Sequence, residues 1–206
     1  MALVTRALTT LATAKQHLGI SAGDLSQDAR LEIFINAATS RIESMTDRTL
    51  KESSIVEIQH GGSQNLIMLR QFPVTSIAEV MVDVTKQFVD PTTIVDPTRY
   101  FLADDGNSIA FNFYLPKGFN NVKVSYTAGY NAVLHDTKLA ELELVCLWLV
   151  EWFYKHRERG DMGRTNKSKG DESVGILSAM PVMIREIISC YTRTEAPASN
   201  LLIGNR

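Results

Sequence analysis

Cysteine is scarce in this chain: Cys146 and Cys190 are the only two among 206 residues. No C-x-x-C pair occurs, which excludes a zinc knuckle and a dithiol redox motif. Both lie in apolar helical patterns and read as buried free thiols of a reducing compartment. The four histidines, His17, His60, His135 and His156, are scattered without metal-ligand spacing and read as surface or helix-end residues. Long apolar runs are lacking too. The longest clean one in the later helical region, Leu144–Val150, is far below the ~20 residues that span a membrane. The opening "MALVTRALTTLATAK" has an A-x-A triplet at Ala12–Ala14, but Arg6 and the threonines interrupt any apolar core, so it does not read as a targeting segment. Neither sign of charge dominates: the net charge is −2, and any basic function must be local. The expectation is a soluble protein made in the cytoplasm.

What is present is ordinary globular material, 45% apolar and 21% charged, in a chain long enough to bury a core without staples. Thr10 can cap a first helix, "LATAKQHL", that Gly19 ends. Leu31, Phe34 or Ile35, Ala38, Ile42 and Met45 recur at helical spacing in a second, with Asp24, Ser26 and Asp28 as possible starts and an end near Asp47. The middle reads as strands: 53–59, then 66–72 at hairpin distance across "HGGSQN", then 76–83 after Pro73. Residues 99–113 form a hairpin signal around Asp105-Gly106, "LPKGFNN" reads as a turn, and 122–130 place Val122, Val124 and Tyr126 on one face. No helix-length segment separates these strands, so antiparallel pairing is expected.

A third helix starts near Asp136. Leu139, Leu142, Cys146, Leu149 and Phe153 make one apolar face, and Leu144, Trp148 and Trp152 make another. A surface helix needs one apolar stripe. A helix with two is either central in its own fold or also buried against a partner. Glu151 and Lys155 are spaced to pair along it. A fourth helix begins at Pro181, with Val182, Ile184 or Ile188, and Tyr191 as its buried face. The segregation of strands and helices argues α+β. The expected architecture is a small bundle of about four helices with an antiparallel β-hairpin subdomain inserted between the second and third. One domain spans 1–193: helices within 10–47, a β region 53–130, helices 136–157 and 181–193, and a mobile basic loop 157–175. A flexible tail, 194–206, follows.

Chemistry is absent where it would be looked for. "GRTNKSKG" (163–170) ends like a phosphate-binding loop, but Asn166 stands where the second glycine belongs and the segment follows a helix rather than a strand. Asp104-Asp105 precede Gly106 and read as turn residues. Acidic residues at 90, 96 and 104–105 lack calcium-loop spacing. There is no G-x-S-x-G elbow. No cofactor or metal is expected, and enzyme activity is not supported. The basic loop remains: Lys155, Arg157, Arg159, Arg164, Lys167 and Lys169 are opposed only by Glu158 and Asp161 up to Lys169. It is either a solvated surface or a contact with phosphates or a neighbour's acidic groups. No aromatic residue interleaves it, so base stacking is not indicated and any DNA contact is non-specific. In the tail, Leu201, Leu202 and Ile203 are an apolar anchor that either folds back or docks on another subunit or protein.

The order of these elements, with the strings "LTTLATAKQHLGI", "LEIFINAATSRIESMTDRTL", "FPVTSIAEV", "RYFLADDGNSI" and "VKVSYTAGYNAV", resembles the head–tail connector (adaptor or head-completion) proteins of tailed bacteriophages. The resemblance covers the chain up to about Arg193. It implies a non-enzymatic virion protein that forms a homo-oligomeric ring, a dodecamer, below the portal protein. Such a ring extends the channel for double-stranded DNA and docks the next neck component, a stopper or tail terminator. It also implies that Leu144, Trp148 and Trp152 face the next subunit and that the basic loop lies at the channel or a subunit junction. The Leu201–Ile203 tail would then reach the portal or a neighbour. A tail-completion or stopper protein and, in another class, a non-specific DNA-binding module are the alternatives.

Overall fold

The structure is a computed structural model that describes residues 2–158, 166–169, 172–175 and 181–192. The chain divides into two compact units, one of Met1–Ala2, Thr9–Arg48 and Val145–Arg206, the other of Leu3–Leu8 and Thr49–Leu144.

The first unit is helical in its described core. In α1, Leu11–Leu18, the Thr10 side chain accepts the Thr13 N–H and Gly19 closes the helix at φ 70°, the expected caps. α2, Asp28–Thr46, ends at Asp47 in the left-handed region and begins after Gln27, which makes no side-chain cap. Asp24 instead accepts the N–H of Ser26 in the preceding turn. Leu31, Ile35, Ala38 and Ile42 are buried, which at ~1.5–3 kcal/mol for each large aliphatic side chain is what holds α2 in place. The Lys15 ammonium lies 2.5 Å from Asp28, with its side chain 6% exposed, and ties α1 to the start of α2.

α3, Asp136–Glu158, starts at the expected residue. Residues 166–169 (β7) and 172–175 (β8) form an antiparallel hairpin, an element that the basic composition of this stretch does not announce. α4, Val182–Ser189, follows Pro181. Ile184, Ile188 and Tyr191 are buried, but Val182 is exposed, so the expected face is rotated off it. Cys146 is buried as expected; Cys190 is exposed, because it lies past the last turn of α4. The buried Arg48 donates to the Tyr191 carbonyl at 3.0 Å.

The second unit is mixed antiparallel sheet. β1 (Ser53–Gly61), β6 (Gly118–Ala128) and β3 (Val74–Val82) form one sheet in the order β1-β6-β3. β2 (Leu66–Met68), β5 (Ser108–Phe111) and β4 (Tyr100–Leu102) form another in the order β2-β5-β4. Val122, Val124 and Tyr126 of β6 alternate into the core, as their spacing requires, and meet Val80, Ile67, Ile109 and Phe111 there. The hairpin around Asp105-Gly106 is present as β4–β5.

Three expectations are corrected. β1 and β2 are not a hairpin: β1 pairs along β6 from Ser53↔Ala128 to Gly61↔Gly118, and β2 crosses to the other sheet. β6, buried at alternate positions and flanked on both sides, takes the ladder that β2 was expected to supply. β2 also stops at Met68, because the next amides bond elsewhere: Leu69 N–H to the Asn107 carbonyl, Arg70 N–H to Glu57 and Gln71 N–H to the Tyr126 hydroxyl. Residues 118–121, expected as a turn, begin β6.

Candidate assembly surface

The two apolar faces of α3 differ in exposure. Leu142, Cys146 and Leu149 are buried. The Phe153 ring lies 5.9 Å from that of Phe34 on α2. On the other face Leu144 is 41% exposed, and Trp148 and Trp152 are half-buried. Among the described residues, these half-exposed tryptophans on a helix anchored through its opposite face leave apolar surface uncovered.

Around the tryptophans the helical unit forms a groove of about 280 Å³ lined by Trp148, Trp152, His156, Pro181, Met183 and Ile184. Trp152 packs on Phe153 at 5.4 Å and on the His156 ring at 4.3 Å between centroids. The His156 Nδ1 lies 2.9 Å from the Trp152 carbonyl, which places a proton on Nδ1 and orients the ring. At the rim Glu151 pairs with Lys155, as the spacing predicts, and with His17 Nε2 of α1 at 3.0 Å. The hydrogen bond from Lys155, seconded by that from His17, holds the Glu151 carboxyl below the usual carboxylate range against the opposing effect of burial. The groove thus has an aromatic floor and a fixed charged edge, which suits an apolar side chain of a partner rather than a small polar ligand.

Of the basic residues, Arg157 is exposed at the end of α3. Lys167 and Lys169 stand two apart on β7, opposite Val174 and Glu172. Arg159 and Arg164 lie outside the described residues, as do Leu201, Leu202 and Ile203. Met183 was not singled out in the sequence, and Pro181 only as the start of the fourth helix; the signal for Met183 was its place beside the buried positions of α4.

The acidic residues serve the backbone. Asp90 and Asp96 accept the N–H of Thr92 and Thr98, each at 2.8 Å. Asp105 accepts from Asn107 and Ser108. These hydrogen bonds lower all three carboxyls. Among the described residues no group of three His, Cys, Asp or Glu is placed to hold a metal ion, and no helix is long and apolar enough to cross a membrane.

No curated protein matches the sequence. Solved structures share the fold. A chain from the "Neck of empty GTA particle computed with C6 symmetry" superposes with a TM-score of 0.65 at 21% identity, over 96% of both chains. A chain from the "Virion of native gene transfer agent (GTA) particle" does so at 0.62 and 20%, over 96% of both. So does one from the "Neck of native GTA particle computed with C12 symmetry", again at 0.62 and 20% over 96% of both. The family described as head completion protein matches residues 7–194. With that match extending over most of its length, the chain belongs to the head completion protein family.

Proposed function

We propose that this protein is a structural virion component of the head–tail junction. Copies assemble as a closed ring, a dodecamer, beneath the portal of a DNA-filled head. The ring extends the DNA channel and presents the docking surface for the next neck component, a stopper or tail terminator. The family match over residues 7–194 is the observation that carries this reading. The sixfold and twelvefold symmetry of the necks whose chains share the fold supports a ring. A ring needs a heterologous interface whose rotation closes.

In this reading residues 1–193 act as one connector domain, a small helical bundle with the β region inserted between α2 and α3, and 194–206 act as a tail. Leu144, Trp148 and Trp152 contact the next subunit, which accounts for the second apolar face of α3. Arg157, Arg159, Arg164, Lys167 and Lys169 contact channel DNA non-specifically or a neighbouring subunit. Leu201, Leu202 and Ile203 dock on the portal or a neighbour. The role is assembly, without catalysis. Electron microscopy of the purified protein, alone and mixed with portal, tests it: rings on the portal are expected. A protein that stays monomeric and joins neither portal nor virions would sink the reading.

A further inference from the structure

The β unit is electrically polarised along its central strand. β6 has 11 residues, about 36 Å at ~3.3 Å per residue, and each end carries exposed apolar side chains with charges of one prevailing sign.

At the Gly118 end, β3 stops at Val82 opposite Val122. The loop beyond is built on the buried Asp83. Its Oδ1 accepts from Thr85 N–H at 2.7 Å and from the Thr85 hydroxyl at 2.6 Å; its Oδ2 accepts from Gln87 N–H at 3.0 Å and Phe88 N–H at 2.8 Å. Lys86 and Phe88, at φ 64° and 52°, and Asn120 across the sheet end, at φ 52°, adopt the left-handed region. Such backbone costs of order 1–3 kcal/mol per non-glycine residue and persists only where the surroundings over-determine it; Asp83 holds the loop, and His60 Nδ1 accepts the Asn120 N–H at 2.9 Å. What the loop gains is display: Val84 is 71% exposed and Val89 76%. Phe119, 66% exposed, stacks on His60 at 4.2 Å, with the Lys86 ammonium 5.8 Å above its ring. Lys117 is exposed beside it. The exposed Asp90, which accepts the Thr92 N–H, and the buried Asp83 are the carboxylates at this end, so on its exposed surface the two lysines outnumber the acidic groups by one.

The Ala128 end is the reverse. Val74, opposite Ala128, donates to the Gly106 carbonyl at 2.9 Å, so the exposed Asp104 and Asp105 of the β4–β5 turn stand there. Glu52 lies beside them and accepts from Asn131 at 2.9 Å. The segment that follows exposes Val133 by 89% and Leu134 by 65%, then Asp136. Lys138 opposes them and lies 3.9 Å from Glu141.

Two complementary ends separated by a rigid ladder cannot meet within one subunit. Like ends repel, which disfavours a two-fold dimer through either. Head-to-tail contact between copies satisfies both, and it is the heterologous geometry that closes into a ring. We propose that the end bearing Lys86, Lys117 and Phe119 seats on the end bearing Asp104, Val133, Leu134 and Asp136 of a second copy of this chain. The proposal rests on the ring reading. The apolar side chains supply the contact, and the charges set its direction and register.

A charge-exchange experiment on the full chain tests it. K86E/K117E makes both ends acidic; D104K/D136K cancels the net negative charge of the acidic end and puts lysines at the proposed contact. All four positions are exposed, and circular dichroism confirms that each variant is folded. Native mass spectrometry and negative-stain microscopy should show wild-type rings, at least tenfold weaker assembly of either variant alone, and restored rings of alternating composition in the equimolar mixture. Wild-type assembly should also weaken between about 50 and 500 mM salt, as screened surface charges require, a readout that does not depend on variants. Wild-type rings together with normal assembly by either variant alone overturn the inference and leave the ring reading standing. So does a mixture of folded variants that never co-assembles, or wild-type assembly indifferent to salt. A wild-type protein that forms no ring, with or without portal, overturns the ring reading and the inference together.

Discussion

The Tyr126 hydroxyl donates a 2.8 Å hydrogen bond to Glu57 Oε2, and both side chains are buried in the β unit. Glu57 is a carboxylate inside a β-sheet core, and every bond it accepts has a structural duty: Gln59 Nε2 at 2.7 Å, Arg70 N–H at 3.1 Å and the tyrosine. Tyr126 in turn accepts the Gln71 N–H at 3.2 Å. The pair therefore fixes the chain where β2 gives way to its crossing segment. Tyr126→Phe removes one bond to a charged group and leaves the Gln71 amide without its acceptor. A loss of about 1.5–3 kcal/mol is expected, measured by urea unfolding. Glu57→Leu should be tolerated no better, because it also removes the acceptor of the Arg70 amide and one of the two acceptors of Gln59 Nε2, which keeps the Met68 carbonyl.

Gly129 is at φ 117°, and a Cβ there would lie 2.7 Å from the Glu52 nitrogen and the Lys51 carbonyl carbon. Both are backbone atoms, so no side-chain rotation relieves the clash. Gly106 is at φ 66° with nothing within 4 Å of a Cβ. Gly106→Ala should cost about 1–2 kcal/mol, the left-handed penalty alone. Gly129→Ala should cost clearly more, or leave the β unit unfolded. Equal midpoints for the two variants in denaturant would refute the steric account.

Asp83 gives a pH signature. The Thr85 hydroxyl bond, then the Phe88 amide and the other loop amides, lower its carboxyl to about 2 from an ordinary 3.8. A depressed carboxylate contributes stability that is fully present above its unfolded pKa and lost as pH falls through the folded one. The loop should therefore hold from neutral pH down to about 4 and open between about 4 and 2. Hydrogen exchange at the Thr85, Gln87 and Phe88 amides reads this directly. In Asp83→Asn those amides should exchange quickly at neutral pH; unchanged protection would show that something else holds the loop.

Signals confined to a few residues were legible in the sequence, and those needing distant partners were not. The Thr10 and Gly19 caps, the α3 start at Asp136 and the Asp105-Gly106 hairpin each depend on neighbours within a few positions. The pairing of β1 with β6 instead of β2 spans most of the β unit, and period-2 alternation is silent about which strand lies alongside. The second face of α3 was readable as excess apolar surface, but its partners in the groove, Pro181 and Met183, come from a segment beyond the basic stretch. One local signal was there to be used. Asp83-Val-Thr85, Asp90-Pro-Thr92 and Asp96-Pro-Thr98 repeat an Asp-x-Thr spacing, and in each the aspartate accepts the threonine amide. That spacing marks the turns between β3 and β4 without any tertiary information.

Trp148 separates stability from assembly. It is half-buried on α3 and lines the groove, while the core side of the helix is held by Cys146 and Leu149. Trp148→Ala combined with Leu144→Ser should lower stability by about 1–3 kcal/mol, less than the 3–5 kcal/mol of a fully buried tryptophan. Ring formation on the portal should fall much further, because aromatic anchors dominate interface energetics. Sedimentation velocity measures the second effect and thermal unfolding the first. A variant that unfolds readily yet still assembles would place these residues in the subunit core.

The basic stretch calls for a different test, because its charges are distributed and each is screened. Neutralising Arg157, Arg159, Arg164, Lys167 and Lys169 to glutamine removes five cations from a stretch opposed only by Glu158 and Asp161 up to Lys169. Arg157 is exposed at the end of α3, and exposed charges contribute little to stability. Thermal unfolding should therefore shift little. If the stretch faces the channel, rings form normally but DNA retention in assembled particles falls, and the salt dependence of retention becomes shallower as fewer counterions are released. If it lies at a subunit junction, ring formation itself weakens and the loss is already present without DNA. Assembling the variant with empty and with filled heads separates the two. Normal rings with normal DNA retention would remove the stretch from both roles.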